Sequence, residues 1–70
     1  MKNFMVSGVD GDGKEILAEY DFFTIRDAVI RARGIAKTPE YLEQGLYAVQ
    51  IFEEVIEKNY IMEIMVKKGI

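Results

Sequence analysis

An α+β domain of order ββαββ is the fold this sequence predicts: a four-stranded antiparallel sheet with one main helix packed on one face. Three observations predict it. Period-two alternation flanks an Asp-Gly-Asp-Gly turn near the N-terminus, and a capped apolar stripe at helical spacing follows. Alternating β-branched and aromatic residues then return over the C-terminal part of the chain.

The first strand is expected over residues 3–8, with Phe4 and Val6 on one face and Met5 on the other. Val9-Asp10-Gly11-Asp12-Gly13-Lys14 holds two Asp-Gly dipeptides, which supply the positive φ angles of tight hairpin turns. The second strand is expected over 15–22, Ile16, Ala18, Tyr20 and Phe22 pointing to the helix and Glu15, Leu17, Glu19 and Asp21 away from it. Thr24 is placed to cap a helix, with Asp27 completing a capping-box-like pair and Phe23 placed to staple onto Ala28. Ile25, Ala28, Val29, Ala32 and Ile35 or Ala36 share one helical face, and the helix is expected to end between Gly34 and Lys37.

A short second helix is expected over 39–44, opened by Pro39 and closed by Gly45. A second hairpin follows. Tyr47, Val49 and Ile51 alternate with Ala48, Gln50 and Phe52, and Glu57-Lys58-Asn59 forms the turn with Asn59 left-handed. Tyr60, Met62, Ile64 and Val66 share one side of a last strand over 60–67. A single helix over 39–57 competes, because Leu42, Leu46, Val49, Phe52 and Ile56 also fit a helical stripe. An interior Gly45 and the β-branched, aromatic content of 47–56 weigh against it.

One domain over residues 1–70 is expected, and a chain this short buries only about 60% of the surface its unfolded form exposes. Small domains of this kind are usually stapled by disulfides, a metal or a partner. The chain has no Cys and no His, which removes disulfides and nearly removes zinc, and leaves a partner. The composition is globular, 50% hydrophobic and 30% charged. The first residues carry too short an apolar run for a signal peptide, and no stretch approaches the ~20 apolar residues of a membrane span. A cytoplasmic location is the expectation.

Chemistry has little to work with. Asp10-Gly11-Asp12-Gly13-Lys14-Glu15 lacks the oxygen donor and the glycine of a calcium loop at Lys14 and Glu15, and a strand rather than a helix follows it. Ser7 is the sole serine and has no base near it in sequence. A non-enzymatic protein without cofactor or metal is therefore expected. Glu53, Glu54, Glu57 and Glu63 form an acidic group around the second hairpin, and Arg26, Arg31, Arg33 and Lys37 a basic group on the helix with Ile30 among them. Both read most simply as solvated faces. A net charge of −3 disfavours nucleic acid as the main ligand. Tyr20, Phe22, Tyr47 and Tyr60 are expected mostly on the core side, not outward for base stacking.

One helix covers one sheet face, so the other should be polar. Instead Met5, Leu17, Phe52, Ile61 and Met65 are expected to point away from the helix, mixed with Glu19, Gln50, Glu63 and Lys67. Burying five such side chains at ~1.5–3 kcal/mol each would offset much of the domain's marginal stability. The expected function is a protein-interaction module, homodimeric through this second sheet face. The alternatives are a small acidic inhibitor or decoy of a phage or mobile element acting on a host protein, and a weak nucleic-acid binder using the helix arginines.

Overall fold

The structure, a computed structural model, describes residues 3–54 and 58–66. Four strands form one antiparallel sheet: β1 (Asn3–Asp10), β2 (Glu15–Phe22), β3 (Leu46–Glu54) and β4 (Asn59–Met65), in the order β2-β1-β3-β4. The main helix α1 (Ile25–Ile35) and a short α2 (Pro39–Glu43) connect the two hairpins. This is the ββαββ architecture expected, and the strand reading of residues 46–54 replaces the single long helix. Gly45 decides that break. Its φ of +91° ends the helical turn in a conformation that a side chain would strain.

Local signals place the first hairpin and the helix. Asp10 closes the β1–β2 turn by accepting the amides of Asp12 and Lys14 on Oδ1, each at 2.9 Å. Only Gly13 of the two Asp-Gly glycines takes a positive φ, at +82°. At the start of α1, the Thr24 hydroxyl accepts the Asp27 amide at 3.1 Å, as a capping residue should. The expected staple does not form, because Phe23 stays 67% exposed. Asn59 also departs from expectation. It opens β4 opposite Glu53 without a positive φ, while Glu57 of the expected turn lies outside the described residues.

Ala28, Ala32 and Ile35 of α1 are buried against Val6, Leu46, Val49 and Ile51. Small residues at positions 28 and 32 let the helix axis approach the two central strands closely. Phe4, Phe22, Met62 and Ile64 pack around this centre.

Register irregularities decide what each sheet face carries. β2 slips against β1 between Gly8 and Val9, and again between Phe4 and Val6. Leu17 therefore pairs with Gly8 and Glu19 with Val6, which puts both on the helix side, opposite to the expected alternation. Gly8 makes this possible: a Cβ there would stand 2.8 Å from Leu17 Cδ2 and 2.9 Å from Leu46 Cδ1. The two leucines lie over bare backbone. Asp21 absorbs the second slip with φ +68°, its amide donated to Glu54 Oε1 at 2.8 Å.

Candidate interaction surfaces

Pairing across the strands gives the face away from α1 three rows. The first runs Met5, Phe52, Tyr60, with Met5 opposite Phe52 and Phe52 opposite Tyr60. The exposed Tyr20 of β2 stands next in sequence to Glu19, the partner of Val6, at the register slip beside Met5. Phe52 and Tyr60 meet edge to face with ring centroids 5.7 Å apart, and the Lys58 ammonium reaches to 5.8 Å from the Tyr20 ring. The second row is polar apart from its first member: Ala18, Ser7, Gln50, Glu63. The third is Glu15, Val9, Ala48, Met65. Ser7 is not without a neighbouring base, since its buried hydroxyl donates to Glu15 Oε2 at 2.9 Å.

Of the five residues expected on this face, Met5, Phe52 and Met65 lie on it. Leu17 and Ile61 do not, and both pack against the core. For Leu17 the reason is the slip at Gly8. For Ile61 it is a slip between Ile51 and Phe52, which leaves Ile61 as the extra residue of β4. Glu19 likewise faces the helix, Gln50 and Glu63 are where they were expected, and Lys67 lies outside the described residues. Met5 and Ala48, on the central strands, are buried, whereas Tyr60 is 54%, Tyr20 51% and Met65 45% exposed on the flanking strands. The accessible apolar surface is thus a rim. Tyr20 and Tyr60 were expected on the core side, and the slips in β2 and β4 turn them outward.

The charged groups are dispersed differently from the sequence expectation. Glu53 pairs with Phe4 on the helix side, Glu63 projects from the opposite face, and Glu57 lies outside the described residues. Glu54, opposite Asn3, lies on the same face as Glu63, so the described members of the group do not all share one face. On α1, Arg31 is engaged by a bidentate ion pair with Glu19, Nε to Oε1 and Nη2 to Oε2 both at 2.7 Å. This hydrogen bonding holds the Glu19 carboxyl below its ordinary pKa and raises the Arg31 guanidinium. Arg26 is exposed toward the start of α1.

Arg33 and Lys37 belong to a different feature, which sequence reasoning missed. With Ala36, Leu42, Ile64 and Met65 they line a groove of about 490 Å³ between the end of α1, α2 and edge strand β4. Leu42 of α2 and Ile64 and Met65 of the last strand line it from positions far apart in sequence, so spacing alone gives no sign of the groove. No group of three or more His, Cys, Asp or Glu that could hold a metal occurs among the described residues, and no helix among them is long and apolar enough to cross a membrane. Comparison with known proteins finds no match to a family model, to a curated protein or to a solved structure.

Proposed function

We propose that this chain is a non-enzymatic protein-interaction module that pairs with a second copy through the sheet face away from α1, in the cytoplasm. One observation carries the reading: Tyr20, Tyr60 and Met65 stand exposed around a face whose middle, Met5 and Ala48, is already closed. Aromatic side chains around a packed floor suit face-to-face sheet packing, in which two sheets lie about 10 Å apart. Covering them would also supply burial that a 70-residue chain without disulfides lacks. The absence of Cys agrees with a reducing compartment.

Sedimentation velocity across a wide concentration range tests the proposal. A dimer that Tyr60→Glu converts to a folded monomer supports it, and a wild-type monomer at every concentration refutes it. The outward Tyr20, Phe52 and Tyr60 also raise single-strand stacking as a second reading. Glu15 and Glu63 in the neighbouring rows and the placement of Arg33 and Lys37 in the groove on the helix side weigh against it. Salt-dependent retention of a single-stranded oligonucleotide, lost in Tyr20→Ala, would favour that reading instead.

A further inference from the structure

We infer that the groove between α1, α2 and β4 receives an extended acidic peptide segment of a partner protein, which adds as a fifth strand to β4. The site lies on the helix side of β4 and meets the outer sheet face only at Met65, which lines the groove and also ends the third row of that face. Three features converge on it: a strand edge and two cations that have no partner among the described residues, and an apolar floor.

The strand edge comes first. β4 ends the sheet, and the Val66 amide donates to the Tyr47 carbonyl at 3.0 Å. Antiparallel alternation then turns the N–H and C=O of Glu63 and Met65 away from β3, so two residues of β4 offer backbone groups to an incoming strand. The opposite edge is guarded. β2 has two register slips, a left-handed Asp21, and Glu15, Glu19 and Asp21 along its length, devices that discourage strand addition and repel acids. β4 has one slip, near its start, and a single charge, Glu63, in its described length.

The floor comes next. Ala36, Leu42 and Ile64 line the groove on the helix side of β4, where alternate side chains of an added strand would enter. Leu42 remains exposed there.

The cations specify the partner's chemistry. Arg33 and Lys37 stand four residues apart at the end of α1, on the groove wall. Neither forms an ion pair with a described residue, whereas Arg31 of α1 is held by a bidentate pair with Glu19. In a chain of net charge −3, two cations unpaired among the described residues, beside an apolar floor, complement a segment that alternates apolar side chains with carboxylates. A second copy fits less well. The acid of its own β4, Glu63, lies on the face opposite to the one carrying Arg33 and Lys37.

The test is selection of a randomised octapeptide library on the full chain. Enriched peptides are expected to alternate apolar residues with acids, and a synthetic copy of the most enriched one should bind the Arg33→Glu/Lys37→Glu variant at least tenfold more weakly by fluorescence anisotropy. Both positions are exposed, so the variant should keep the wild-type circular dichroism. In ¹⁵N spectra the bound peptide should slow amide exchange at Glu63 and Met65. No enrichment, enrichment without acids, or equal binding by the double variant would overturn the inference. So would a wild-type dimer that Leu42→Asp dissociates while Tyr60→Glu does not, because that outcome gives the groove to a second copy.

Discussion

Replacing Gly8 by alanine probes the register that decides which residues each face presents. A Cβ at Gly8 would lie 2.8 Å from Leu17 Cδ2, 2.9 Å from Leu46 Cδ1 and 3.2 Å from Leu17 Cγ. Apolar carbons rest at about 3.5–4.0 Å, so each leucine must withdraw by roughly 0.7–1 Å. Overpacking a core costs about 1–3 kcal/mol, and the middle of that range applies because two leucines must move together and one of them is crowded at its Cγ as well as its Cδ2. Removing a strand glycine returns about 0.5–1 kcal/mol. The net expectation is a loss of about 1 kcal/mol, or about 4–8 °C in Tm for a domain of this size. Thermal and urea unfolding of Gly8→Ala, Leu17→Ala and the double variant form the assay. Removing the Leu17 side chain vacates the space, so the double variant should be more stable than the sum of the singles by about 1 kcal/mol. A neutral or stabilising Gly8→Ala, or strict additivity, would refute the placement of Leu17 over Gly8 and return Leu17 to the outer face.

Other expectations follow from single contacts. Glu19→Gln should lower stability by no more than about 1 kcal/mol near pH 7, since the pair with Arg31 is partly solvated. The Glu19 pKa is lowered on folding, so its contribution is present above the unfolded carboxylate value and fades as pH falls through the folded one. The Tm difference between wild type and Glu19→Gln should therefore close in acid, and a gap that persists well below the carboxylate range would contradict the ion pair. Thr24→Ala should cost about 1 kcal/mol by urea unfolding, and Thr24→Ser should restore most of it, because the cap needs only a hydroxyl acceptor. Gly34→Ala should stabilise by up to about 1 kcal/mol, because Gly34 sits in open space inside α1, whereas Gly45→Ala should destabilise by about 1 kcal/mol or more at φ +91°. Equal effects at the two glycines would contradict the α2–β3 break.

Element order was legible because its signals are local. Thr24 with Asp27, the Asp10 turn and Pro39 to Gly45 each act within a few residues, and the elements they bound form where the pattern places them. The faces were less legible, because a bulge is settled by the partner strand. Alternation in residues 15–22 reads the same whether Leu17 points in or out until the pairing with Gly8 is known. A glycine inside an apolar strand was the available clue, since such positions often mark close approach by a neighbour. The outer face was read correctly at Met5, Phe52 and Met65, where no slip intervenes between Met5 and its partner Phe52 or between Met65 and Ala48. The basic residues of α1 shared a stripe in sequence. Tertiary contacts divide them between an ion pair at Arg31 and a groove at Arg33 and Lys37.

Cross-linking tests the proposed pairing most directly, because the chain contains no cysteine and each engineered thiol reports alone. Gln50→Cys and Glu63→Cys place a thiol in the polar row of the outer face, and Arg26→Cys places one on the exposed helix. Oxidation at low protein concentration should give a disulfide dimer from at least one of the first two and none from the third. Cross-linking from Arg26→Cys alone, or from none of the three, would contradict a dimer built through the outer sheet face.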